Sequence, residues 1–275
     1  MKAAAAPGLG RSILGWGVSA RVTASSKNLL EWTLLGLPSG FRVLQRPTEG
    51  PLFNVRAVGG QIEVTEGDRL VFRGRSRRAL GLAVEACFET LASTHSEKFA
   101  FLHAGCVEIE GRAILFPGRS HAGKSTLVTA FLKRGASYLS DDMVPIDGEL
   151  RAHPFPRPIG LRPTTGGVSK RTPLKKLGAK PADRALPIAL VWCGVYDPLA
   201  PGPTFERRRG VAAFAELFAH APGAQIRPEV IVPILSGMAR RVPVFSGVRG
   251  DAEAIVDAVL TRLRGLVKGR LRPRS

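Results

Sequence analysis

Residues 118–126 read Gly-Arg-Ser-His-Ala-Gly-Lys-Ser-Thr and fit the pattern G-x-x-x-x-G-K-[ST] from Gly118 to Ser125. Such a loop turns successive backbone N–H groups inward. The helix after it adds its own N-terminus, so phosphate oxygens meet hydrogen-bond donors and the positive end of a dipole. Gly118, Arg119, Ser120, His121, Ala122 and Gly123 would form the cradle, and Gly123 must stay small so that the backbone can approach its ligand. In this chemistry Lys124 reaches the β- and γ-phosphates, the Ser125 hydroxyl ligates Mg2+, and Thr126 helps with a phosphate oxygen. Arg119 and His121 stand where such loops usually carry small residues. They leave the cradle intact if their side chains point outward, because the backbone does the binding.

Asp141 and Asp142 come one helix and one strand later, and they are expected where the next strand of a parallel sheet ends, beside the loop. Adjacent residues in an extended backbone point to opposite sides. One carboxylate can then face a metal while the other faces an acceptor hydroxyl or a water. That division suits phosphoryl transfer, in which one acid holds Mg2+ and another takes the acceptor's proton.

These residues need a strand before the loop and a helix after it. The stretch AILF at 113–116 supplies the strand, preceded by CVEIE and a turn at Gly111. TLVTAFLKR supplies the helix, with Lys133 and Arg134 in its last turn and Gly135 closing it. SYLS at 137–140 and the apolar run LPIALVWCGVY at 186–196 read as strands, and residues 210–221 and 251–266 carry helical patterns. A basic, Pro-rich region runs from Arg151 to Pro181.

Four segments are expected. Residues 1–26 are small and Gly-rich and read as a flexible arm; residues 27–98 read as a small, mostly β module. A helix over 77–94 closes that module, capped by Ser76, with Leu80, Val84, Cys87, Phe88 and Leu91 at helical spacing. Residues 99–266 form the nucleotide-binding domain, and residues 267–275 form a basic tail. The fold class is α/β: a phosphate-loop core with a mixed sheet flanked by helices, preceded by the β module.

Hydrophobic residues make up 44% of the chain and charged residues 23%, ordinary globular proportions. No apolar run is long enough to span a bilayer, so no membrane partner is expected. Pro7, Gly8 and Gly10 interrupt the N-terminus before an apolar region develops, which argues against a secretory signal. Cys87, Cys106 and Cys193 lie far apart and fit buried thiols in a reducing cytoplasm. The net charge of +18 attracts acidic or phosphate-rich partners. Neither zinc-finger spacing nor an aromatic-basic RNA-binding signature accompanies it, which argues against nucleic acid as the main partner.

The stretch from Phe101 to Asp147 resembles the catalytic domain of HPr kinase/phosphorylase, and more closely the wider set of HPr-kinase-like bacterial proteins. These share their phosphate loop with phosphoenolpyruvate carboxykinases. The matching features, in order, are His103, Gly111, Gly118 to Ser125, Arg134-Gly135 and Asp141-Asp142. The resemblance implies that His103 joins the acids near the transferred phosphate, that Asp141 is the acid/base, and that Asp142 faces the metal. Residues 153–162, HPFPRPIGLR, are similar to the Pro-Arg segment that follows the acids in such proteins, which makes Arg157 and Arg162 candidate substrate or phosphate contacts. The implied activity is an ATP- and Mg2+-dependent kinase acting on a hydroxyl, with Ser of a protein or peptide as the leading acceptor. Relatives in peptide natural-product pathways make a modified peptide a reasonable substrate, and the basic Pro-rich region could dock an acidic one. A homo-oligomer is also implied. Two other readings stay open: a small-metabolite kinase, and a nucleotide-binding regulatory or pathway-accessory protein without turnover.

Overall fold

The computed structural model describes residues 9–119, 122–161 and 170–270. Ser120, His121, Arg162 and residues 271–275 of the expected tail lie outside the described residues. The chain divides between Lys98 and Phe99 into two compact units.

The first unit holds β1 (Gly10–Gly15), β2 (Val18–Ala24), α1 (Lys27–Leu35), β3 (Arg42–Leu44), β4 (Leu52–Val58), β5 (Gln61–Glu66), β6 (Arg69–Gly74) and α2 (Arg77–His95). Its strands form one sheet in the order β3-β1-β2-β4-β5-β6, in which only β2 and β4 pair in parallel. Two expectations are corrected here. Residues 10–24, read as part of a flexible arm, are a β-hairpin. Trp16 and Gly17 both adopt positive φ (53° and 74°), which makes a tight turn matched to strand twist. Val18, Ala20, Val22 and Ala24 then alternate into the core. The run beginning at Leu29, read with the β module, is helical instead. Ser26 caps it by accepting from the Leu29 N–H, and Leu29, Leu30 and Thr33 face inward at helical spacing. The helix α2 forms as expected, capped by Ser76.

The second unit holds β7 (Ala100–Ile109), β8 (Arg112–Pro117), α3 (Lys124–Lys133), β9 (Ser137–Ser140), β10 (Met143–Ile146), β11 (Arg151–Ala152), β12 (Ile159–Leu161) and β13 (Lys170–Thr172). It continues through β14 (Leu186–Tyr196), β15 (Glu206–Arg208), α4 (Gly210–Phe218), α5 (Pro228–Arg241), β16 (Val244–Arg249) and α6 (Ala252–Arg270). A mixed sheet follows the path β11-β10-β7-β8-β14-β16-β15, with β8, β14 and β16 parallel to one another. The β7–β8 hairpin turns at Glu110 and Gly111, both at positive φ.

Alternation along β8 sorts its side chains onto two faces. Ala113 and Leu115 pack with Ala213 and Leu217 of α4 and with Leu235 and Met238 of α5. Ile114 and Phe116 pack with Leu127, Val128 and Phe131 of α3 and with Ile255 and Val259 of α6. Burying one such side chain contributes about 1.5–3 kcal/mol. The helix α5 was not expected, and α6 continues to Arg270, past the expected boundary at 266. Among the described residues, no helix is long and apolar enough to cross a membrane.

One further correction bears directly on the acids. β9 is not the next strand of a parallel sheet. Both β9 and β10 pair antiparallel with β7, in nearly continuous register: Ser137 opposite Glu108, Ser140 opposite Cys106, Met143 opposite His103 and Ile146 opposite Ala100. They are one interrupted strand, and Asp141-Asp142 is the interruption. The Asp142 carbonyl accepts from the Ala104 N–H at 2.9 Å, and Ala104 is the register partner of Pro117 at the end of β8. The acids and the loop therefore flank β7 at the same level.

Candidate functional site

β8 delivers the chain to the loop as a buried strand, and the Gly118 N–H donates to the His103 carbonyl at 3.2 Å. Gly123 precedes α3 at φ 77°, in the left-handed region that glycine adopts without strain. A Cβ at Gly118 would lie 3.2 Å from the Cβ of Ala122, so the loop is closed up on itself. Arg119 and Thr126 are exposed.

Lys124, the first residue of α3, is buried, and its Nζ donates to the carbonyls of Gly118 (2.8 Å) and Arg119 (2.9 Å). Burial lowers its pKa, while the charges of Asp142 and Asp141 oppose that shift. Ser125, one residue on, donates from Oγ to Asp141 Oδ2 at 2.8 Å.

The two carboxylates have separate partners. Asp141 is 6% exposed and accepts from Ser125 and, at 2.8 Å, from the Tyr138 hydroxyl. Burial, followed by the Asp141 charge and hydrogen bond, holds the Tyr138 pKa well above its ordinary value, so the phenol stays a donor. Asp142 faces His103 Nε2 at 2.8 Å and accepts from an Arg157 terminal nitrogen at 2.6 Å; its side chain is 34% exposed. Burial pushes the Asp142 carboxyl up, but the His103 hydrogen bond and the charges of Arg157, His103 and Lys124 outweigh it, leaving the pKa below the ordinary value.

His103 lies within β7 rather than at its start. Its N–H donates to the His220 carbonyl at 2.8 Å and its carbonyl accepts from Gly118. Burial, with the charges of His103, Lys124 and Arg119, lowers the His220 pKa, which keeps that imidazole neutral at pH 7.

Lys124, Ser125, Asp141, Asp142, His103 and Arg157 thus come together around the end of β8 and the start of α3. Three neighbours carry no motif that would have marked them: Tyr138, His220 and Arg249. Arg249 ends β16 and is 3% exposed. It donates to the carbonyls of Gly123 (3.2 Å) and Ala122 (3.4 Å), and its guanidinium lies 5.3 Å from the centre of the Tyr196 ring. A Cβ on Gly123 would approach the Arg249 guanidinium to 2.4 Å.

The donors suit a hard cation. The Ser125 hydroxyl and an Asp141 carboxylate oxygen converge, and Mg2+ is commonly held by one or two protein oxygens together with substrate phosphates. Among the described residues, no group of three or more His, Cys, Asp and Glu is arranged to hold a metal by itself. A cavity of about 320 Å³ lies away from this site, lined by Glu108, Glu110, Arg134 and Ser137 at the β7–β8 turn and the end of α3.

No protein-family model matches the chain, and no curated protein does. Among solved structures the chain is similar to the HPr(Ser) kinase/phosphatase from Coxiella burnetii, with 16% sequence identity and a TM-score of 0.35. That likeness covers 61% of this chain and 98% of the other. It is a distant structural relationship, and the site's chemistry is argued from its own groups.

Proposed function

We propose that the protein is an ATP- and Mg2+-dependent phosphotransferase that moves the γ-phosphate to a hydroxyl, with Ser of a protein or peptide as the acceptor class. The observation that carries this reading is the pair of adjacent carboxylates with separate partners, Asp141 on Ser125 and Asp142 on His103 and Arg157. A loop that served only to hold phosphate would need neither.

The contacts support dividing the acids in the opposite sense to the family resemblance. Asp141, buried and joined to Ser125, suits the metal side. Asp142, partly open to solvent, suits the side an acceptor must reach. When bound, Mg2+ would neutralise charge on the β- and γ-phosphate oxygens. The loop N–H groups, Lys124 and the N-terminus of α3 hold the phosphates. Asp142 receives the acceptor's proton as the acceptor oxygen bonds to the γ-phosphorus and the bond to the β–γ bridging oxygen breaks, releasing ADP. Its lowered pKa keeps it ionised at pH 7, and a loose transition state asks little basicity of it. His103 and Arg157 orient the Asp142 carboxylate, and Arg157 adds positive charge where phosphate charge shifts.

The test is transfer of labelled γ-phosphate from MgATP to Ser-containing peptides, acidic ones included, and to small hydroxylated metabolites. Label on a peptide Ser supports the proposal, and label on a metabolite alone moves the acceptor class. ATP binding with no transfer to any acceptor leaves a nucleotide-binding protein without turnover.

A further inference from the structure

The acids define which way a nucleotide would lie. Asp141 and Asp142 flank β7, on one side of the strand that leads into the loop. A γ-phosphate directed at them leaves the nucleoside on the opposite side of the loop. There the parallel strands β14 and β16 end, and their last residues, Tyr196 and Arg249, are register partners.

β14 pairs with β8 only through Val191 and then runs on, so Tyr196 stands beside the loop rather than beneath it. Tyr196 is 53% exposed, although it sits in a unit whose other large aromatic side chains are largely buried. The Arg249 guanidinium covers part of the ring and also holds the Ala122 and Gly123 carbonyls, so a single buried side chain fixes the aromatic ring relative to the phosphate cradle. A cation against one side of an aromatic ring restrains it and leaves its remaining π surface for a planar partner.

We propose that Tyr196, held by Arg249, is the stacking surface for the purine ring of a nucleoside triphosphate whose phosphates occupy the loop. This rests on the nucleotide reading of the loop, and it adds where the base lies and how it is recognised. Stacking reads the π face rather than hydrogen-bonding edges, so the subsite favours purines by area and distinguishes them poorly from one another.

The test titrates the full chain with MgATP and with Mg-tripolyphosphate, which keeps the phosphates and lacks the base. In the wild type, MgATP binds more tightly. Tyr196→Ala weakens MgATP about tenfold and leaves tripolyphosphate unchanged, whereas Tyr196→Phe keeps ATP affinity. Unchanged ATP affinity in Tyr196→Ala, equal wild-type affinity for the two probes, or loss of both probes in Tyr196→Ala overturns the subsite. Failure of the wild type to bind either probe overturns the nucleotide reading itself, and the subsite with it.

Discussion

The Ser125 hydroxyl donates to Asp141 Oδ2 at 2.8 Å, joining the first turn of α3 to the break between β9 and β10. Asp142, the next residue, makes no contact with Ser125 and turns to His103 and Arg157. The two acids should therefore fail in different ways. Asp141→Asn raises the Mg2+ concentration needed for ATP binding. Asp142→Asn leaves ATP affinity within about twofold and lowers turnover by about 10²–10⁴-fold. Calorimetric titration of ATP at several Mg2+ concentrations, beside the transfer assay, separates the two. The opposite pattern would return the acids to the order implied by the family resemblance.

Lys124 places its ammonium between two loop carbonyls and is buried there. Lys124→Met removes a charge-assisted donor to phosphate and should weaken MgATP by about tenfold or more. Lys124→Arg should not restore binding, because the larger planar guanidinium does not fit a position shaped by two carbonyls at 2.8 and 2.9 Å. An Arg variant that binds ATP like the wild type would show that charge alone matters at this position.

Sequence and structure agree most closely where local chemistry decides the conformation. The strand, loop and helix around Gly118–Ser125 are legible because glycine placement and apolar periodicity act over a few residues. β14 is legible over its whole length for the same reason. The hairpin at 10–24 is less so, because small residues weaken the apolar signal, although Val18, Ala20, Val22 and Ala24 do alternate. In α5, Pro228 and Pro233 mask a helical pattern of Ile231, Ile234, Leu235 and Met238. The pairing of β9 with β7 is a long-range choice that no local pattern records. Arg249 joins the site from more than a hundred residues away, brought there by the strand order alone.

Gly123 has a double constraint. Its φ of 77° disfavours any side chain, and a Cβ would meet the Arg249 guanidinium at 2.4 Å. Gly123→Ala should cost about 1–2 kcal/mol from the backbone alone. For a domain of this size that is a fall in Tm of about 2–4 °C per kcal/mol. Displacing Arg249 also loosens the loop, so ATP affinity should fall along with Tm. A control substitution at Gly135, which also has positive φ but no atom within 4 Å of its Cβ position, should lower Tm and leave ATP affinity unchanged. Equal loss of ATP affinity in both variants would remove the special role of the Gly123–Arg249 contact.

The Asp142 carboxyl titrates below its ordinary value of 3.8 in the folded protein. Over the interval between the folded and unfolded pKa values, the unfolded chain binds more protons than the native one, so stability rises with pH. The contribution of Asp142 is fully present above about pH 4 and is lost as pH falls through the lower, folded value. Protonation removes the ionic component of its contacts with His103 and Arg157 together. In the ligand-free protein, Tm measured from pH 7 down to pH 2 should therefore fall more steeply for the wild type than for Asp142→Asn, with the difference confined to the region below about pH 4. Parallel curves for the two proteins would mean that His103 and Arg157 hold the Asp142 carboxylate no better than water does.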